Sequence, residues 1–278
     1  MIIILNIFFL LFFFSLSLSS SSVQSIVGLF EIGRGSYGRV LLARHQQSQT
    51  PLAIKQPVMS EGHASPGELV EEIKATRIRS RKEALLHQLV SGHPFFPIFW
   101  GTLDAGNDIC LALEFIGDTT TADSLSLYNA PPLSVRKALG IAQDIVKGLD
   151  FLHGHDILHN DLKSDNVLLK RQGRRLRAVI IDFGLASTVD HPTKLTTVPQ
   201  ALKEAYLRRE EATYVAPEII LDGQLTSTAS DVFSLGLIFL DIEKRVKGTS
   251  PSYIIIMSHI TKKKKREKSC GVHKSRLD

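Results

Sequence analysis

One stretch restricts this chain more than any other: His159-Asn160-Asp161-Leu162-Lys163-Ser164-Asp165-Asn166, followed by the aliphatic run Val167-Leu168-Leu169. It sets an Asp, a Lys two residues on and an Asn five residues on beside a segment that belongs in a core. Phosphoryl transfer needs those parts: a carboxylate to accept a hydroxyl proton, a cation to meet the moving phosphate, an amide oxygen to hold a metal. Taken alone, the stretch also fits a polar turn after a helix. What stands before and after it decides.

Upstream, Leu29 to Leu42 reads as strand, tight turn, strand. Gly33, Gly35 and Gly38 have the spacing that lets a backbone lie close over phosphates with its N–H groups exposed. A dinucleotide fold would need a helix next, yet Val40-Leu41-Leu42-Ala43 is strand-like. Leu52-Ala53-Ile54-Lys55 is an apolar strand ending on a Lys, by default a solvated edge residue. Ser65-Pro66-Gly67-Glu68 is a capping box with Pro at the first helical position, and it predicts a helix to about Val90 that carries Glu83. Ile98–Gly101 and Ile109–Phe115 read as the last strands of a small antiparallel sheet. Ser134 caps a helix in which Val135, Ala138, Ala142, Ile145, Leu149 and Leu152 recur every three or four residues. His153, His155 and His159 have no nearby Cys and no helical ligand spacing, so they are not read as a metal site. Val179 to Gly184 is a buried strand running into Asp182-Phe183-Gly184, with Asp182 21 residues after Asp161. Tyr214-Val215-Ala216-Pro217-Glu218 and Ser230-Asp231-Val232-Phe233-Ser234-Leu235-Gly236 follow.

In this order and spacing the chain resembles the protein kinase family over about residues 29–243. The resemblance implies an α+β, two-lobed, protein-kinase-like fold. A small antiparallel-sheet N-lobe would span about 29–115, and a mainly helical, incomplete C-lobe about 116–243. It implies an ATP-dependent kinase that transfers the γ-phosphoryl group to Ser/Thr hydroxyls of a protein substrate, with ATP and Mg²⁺ bound; Lys163 is the Ser/Thr-type choice. Asp161 becomes the catalytic base or hydroxyl-orienting group, and Lys163 the cation on the transferred phosphoryl. Asn166 and Asp182 hold the metal. Lys55, paired with Glu83, positions the α- and β-phosphates under Gly33, Gly35 and Gly38. Ile32, Val40, Ala53 and Leu113 line the adenine pocket, and the backbones of Glu114 and Ile116 meet the base. Asp231 braces the catalytic-loop backbone. Two departures stand out: Asn160 replaces the family's Arg, and His87 stands where the family packs an apolar side chain. Asn160 has no charge to receive a phosphate, so activity is expected not to depend on activation-segment phosphorylation. Two other readings stay open: a nucleotide-binding pseudokinase scaffold and an inactive truncated kinase fragment. A pseudokinase usually lacks the Lys, the catalytic Asp or the metal Asp, and all three are here.

The ends of the chain read differently. Residues 1–22 form an apolar segment that fits a signal peptide, a membrane anchor associating through residues 2–18, or T-rich non-coding sequence read as codons. An anchor would leave the kinase domain cytoplasmic. Residues 244–278 read as a basic, disordered tail, with no specific nucleic acid partner expected. The net charge of +5 belongs to that tail: residues 262–278 carry eight Lys/Arg and two Asp/Glu, leaving the remainder slightly negative. Two Cys exclude a disulfide framework. With the C-lobe incomplete, Leu237, Ile238 and Leu240 are expected to lack cover.

Overall fold

The computed structural model describes residues 26–35, 38–58, 65–105, 108–117, 126–173, 175–193, 204 and 213–246. The apolar segment 1–22, Ser36 and Tyr37 of the glycine turn, the hydroxyl residues Thr196 and Thr197 that the sequence offers between Asp182 and Glu218, and the tail beyond 246 lie outside these residues. Among the described residues no helix is long and apolar enough to cross a membrane.

Five strands make an antiparallel sheet in the order β1-β2-β3-β5-β4: β1 (Ile26–Gly35), β2 (Gly38–His45), β3 (Pro51–Pro57), β4 (Phe99–Ala105) and β5 (Asp108–Glu114). The alternation of β2 and β3 puts Leu41, Ala43, Leu52, Ile54, Cys110 and Ala112 into one buried cluster. The other face receives a long helix, α1 (Pro66–Val90), on which Ser65 accepts a hydrogen bond from the Glu68 amide, as the capping signal predicts. Gly33 pairs with Val40 and Gly35 with Gly38, so the expected glycine turn does sit between two strands. At Gly38 a Cβ would lie 2.7 Å from the Gln56 carbonyl, so close β2–β3 pairing needs glycine there.

α1 contradicts a simple hydrophobic reading. Its buried face carries Thr76, Ser80, Glu83, Ala84, His87 and Val90, while Ile78 and Leu89 are 66% and 53% exposed. Hydrophobic periodicity does not orient this helix; a charged partner on β3 does, as the site shows.

The second unit is mainly helical. α2 (Val135–His153) starts at the Ser134 cap, whose hydroxyl accepts from the Lys137 amide. It buries Ala138, Ile141, Ile145, Leu149 and Leu152, while Val135, expected in the apolar stripe, is exposed because it lies in the first turn beyond the core. β6 (Ile157–Leu158) pairs with β9 (Ser187–Thr188), and β7 (Val167–Gln172) with β8 (Arg175–Ile180). The β7–β8 hairpin lies against α2, where Gly148 lets Ile180 approach. Two further helices follow, α3 (Pro217–Asp222) and α4 (Thr228–Lys244), the latter opened by a capping box of Ser227 and Ser230. α3 ends on Gly223 in the left-handed conformation that closes helices without strain.

The expectation about α4 is corrected. Leu237 and Ile238 are buried and Leu240 is half-buried; Val232 and Phe239 are the exposed apolar residues of this helix. Ile238 and Leu235 join the main core with Ile141, Ile145, Leu162, Val167 and Phe183. The order also extends past residue 243. α4 includes Lys244, the Leu133 amide donates to the Arg245 carbonyl, and Leu133 bridges Val246, because these groups complete the backbone pairing of the turn before α2.

Candidate active site

Four segments converge: β3, α1, the loop 159–166 and the turn 182–184. Lys55 lies opposite Val40 on β2 and Leu111 on β5. Its ammonium reaches Glu83 of α1 at 2.7 Å and Asp182 at 2.7 Å, the latter 127 residues away in sequence. All three side chains belong to one charge network. Burial works against the charge of Lys55, yet the carboxylates of Glu83 and Asp182 outweigh it and raise the Lys55 pKa. Burial likewise opposes ionisation of Glu83, and the imidazole of His87 with the ammonium of Lys55 holds its pKa below the ordinary value. For Asp182 burial is again opposed, here by Lys55 and by the Gly184 amide, which donates at 3.0 Å; the result is a lowered pKa. Asp182 has φ of 69°, the left-handed region that Asp tolerates better than most side chains.

The loop 159–166 is held from beneath. Asp231 of α4, fully buried, accepts from the His159 amide at 2.8 Å and the Asn160 amide at 2.9 Å, and His153 lies 3.0 Å from the same carboxylate. His159 donates from Nε2 to the Ile181 carbonyl and accepts the Asp161 amide on Nδ1. The three histidines flagged in the sequence therefore have separate partners, His155 meeting the Phe151 carbonyl. Above this base Lys163 donates to both oxygens of Asp161, at 3.0 and 2.8 Å. The Asn166 amide nitrogen donates to the Asp161 carbonyl at 2.7 Å and to its carboxylate at 3.0 Å. Committing that nitrogen leaves the Asn166 amide oxygen to act as a ligand. Oxygen donors from Asn166 and Asp182 suit a hard cation such as Mg²⁺, which takes one or two protein ligands and completes its shell with phosphate and water. Among the described residues no group of three His, Cys, Asp or Glu could hold a metal ion.

The residues expected beside the adenine sit on neighbouring strands and just after β5. Ala53 pairs with Leu113 across β3 and β5, Val40 lies on the adjoining strand, and Ile32 is half-buried on β1. Ile116 is buried. The Glu114 amide is committed to the Ile98 carbonyl at 2.8 Å, so its carbonyl is the backbone group it can offer a base. Sequence reasoning missed the Glu114 side chain, which forms an ion pair with Lys170 of β7 and ties the sheet to the helical unit. Nothing local signals that pairing; it joins residues 56 apart.

A second missed network links α4 to this loop. The Tyr214 hydroxyl donates to Asp241, Ser164 donates to the same carboxylate at 2.8 Å, and Lys244 lies 3.0 Å from its other oxygen. Burial and the hydrogen bond to Asp241 push the Tyr214 phenol up to about 12. The folded pKa exceeds the unfolded one, so the contribution is complete below about 10 and lost as pH rises through about 12. Urea midpoints measured up that range should fall less steeply for Tyr214→Phe than for the parent. Equal slopes would count against a raised phenol.

A carboxylate flanked by an ammonium, a fixed amide and a buried Lys–Glu–Asp network is an arrangement able to bind phosphates and orient a hydroxyl. Residues 28–272 match the model of the protein kinase domain, and the chain belongs to the protein kinase family. It is similar to human dual specificity testis-specific protein kinase 1, 29% identical over 81% of this chain and 32% of that protein. It is also similar to the serine/threonine-protein kinase ksg1 of Schizosaccharomyces pombe, 30% identical over 76% of this chain and 34% of that protein. The chain thus spans about a third of the length of these relatives.

Proposed function

We propose that this domain transfers the γ-phosphoryl group of ATP to Ser or Thr hydroxyls of proteins. The observation that carries the reading is the double contact of Lys55, 2.7 Å from both Glu83 and Asp182, because it joins β3, α1 and the Asp182 turn at one ammonium. Lys55 binds the α- and β-phosphates, and Gly33, Gly35 and Gly38 cover them. Ile32, Val40, Ala53 and Leu113 enclose the base, with backbone groups of Glu114 and Ile116 as its hydrogen-bond partners. Asp161 orients the acceptor hydroxyl and accepts its proton. Lys163 meets the charge on the transferred phosphoryl, which spreads over three oxygens in the transition state. Asn166 and Asp182 would hold Mg²⁺, which when bound would supply charge neutralisation at the phosphates.

The test is transfer of labelled γ-phosphate to a generic Ser/Thr substrate, comparing the chain with Asp182→Asn, followed by phosphoamino-acid analysis. Phosphoserine and phosphothreonine are expected. Phosphotyrosine in addition would favour the dual specificity that names the testis-specific relatives. Mg-ATP should also raise the melting temperature, since a ligand at a hundred times its Kd stabilises the folded state by about 2.7 kcal/mol. No thermal shift at millimolar Mg-ATP would speak against an assembled nucleotide site.

A further inference from the structure

His87 is a buried polar group that the proposed reaction does not use. Its side chain is fully enclosed on α1, and neither ring nitrogen has a hydrogen-bond partner. Buried polar atoms without partners are few and costly, so each calls for a reason. Packing alone does not supply one, because an apolar side chain would fill the same space without that cost.

The surroundings narrow the reason. Phe183, next to Asp182, meets the imidazole edge-on at 4.8 Å between centroids. Phe99 of β4 stacks at 6.4 Å and brings no charge. His159 stands across Phe183, 5.5 Å from that ring. From α1 itself Glu83 lies one turn earlier on the same face, its Oε1 3.7 Å from His87 Nε2. Lys55 of β3 and Asp182 belong to the same charge network, joined through the Lys55 ammonium. Of these groups Glu83 is the acceptor within reach. A hydrogen bond needs about 2.9 Å, so a ring shift of under about 1 Å closes the gap. A carboxylate oxygen has room for both an ammonium and an imidazole N–H.

We infer that His87 is a positioning residue for Glu83: its ring N–H closes onto the carboxylate and holds it toward Lys55. This rests on the proposed kinase reading, since it assigns a role in aligning the phosphate-binding Lys. The polar face of α1 then has a purpose. Glu83 grips β3 through Lys55 and grips its own helix through His87.

Three measurements decide it. In nucleotide-free protein labelled with ¹⁵N-histidine, the His87 side-chain resonance, assigned by its loss in His87→Gln, should shift on Glu83→Gln; an unmoved resonance overturns the contact. Next, a double-mutant cycle is read on Mg-ATP affinity by calorimetry. His87→Leu should weaken binding about tenfold with Glu83 present and less than about twofold in Glu83→Gln. Equal losses in both backgrounds would mean simple packing and would sink the inference. Last, His87→Gln, which keeps an N–H donor and serves also if the Leu variant does not fold, should recover most of the affinity; failure of that rescue likewise counts against it. An intact cycle without phosphoryl transfer would refute only the kinase reading, and an additive cycle with transfer intact would refute only the role of His87.

Discussion

Replacing Asp161 by Asn should lower kcat for phosphoryl transfer by roughly a thousandfold while leaving the KM for ATP within about threefold. The substitution keeps the shape of the side chain and the hydrogen bond from Asn166, whose nitrogen also reaches the Asp161 carbonyl. It removes the proposed proton acceptor and the charge that Lys163 grips through both oxygens. A thousandfold is about 4 kcal/mol of barrier, within what general base catalysis and charge placement supply together. Nucleotide binding should survive, because Lys55, Glu83 and Asp182 contact one another and not Asp161. Asp182→Asn should behave differently. That carboxylate bonds both Lys55 and the Gly184 amide, so kcat and ATP affinity should fall together. If Asp161→Asn keeps more than a tenth of the parent kcat, Asp161 is not the base.

The second large effect concerns Asn160. It stands where the family carries an Arg that receives a phosphate, and the structure gives its side chain another task. The amide nitrogen donates to the Leu185 carbonyl and the Ser187 hydroxyl, both at 2.8 Å, and its own amide N–H goes to Asp231. Its φ of 65° is a conformation that Asn tolerates at less cost than most residues. Asn160 thus ties the segment just after Asp182-Phe183-Gly184 to the catalytic loop without any phosphate. Thr196→Ala with Thr197→Ala should therefore change the transfer rate by less than about tenfold, or about 1.4 kcal/mol. Asn160→Ala, which loses both side-chain bonds and strains the backbone, should cost more than that. A double Thr variant slowed beyond tenfold would show that a phosphate orders the segment after all.

Much of this protein is legible in its residues alone. Local signals are chemical and short-range, so the Ser65 and Ser134 caps and the strands on either side of the glycine turn fall where the residues indicate. The pairing of Lys55 with Glu83 was expected from the family's spacing, and it is present at 2.7 Å. Sequence also marked His87 as out of place, although not what it faces.

What the chain alone left open was orientation and long-range pairing. Periodicity identifies a buried face only when hydrophobic burial chooses it. On α1 an ion pair chooses instead, so Glu83 and His87 turn inward and Ile78 and Leu89 face outward. Leu237 and Ile238, expected to lack cover because the C-lobe is incomplete, are buried by packing across the fold. Glu114 with Lys170, Tyr214 with Asp241 and Asn160 with Ser187 join residues 56, 27 and 27 positions apart. No local propensity encodes such contacts. They exist because the folded backbone brings polar groups together where water is excluded, and an unpaired group there would be costly.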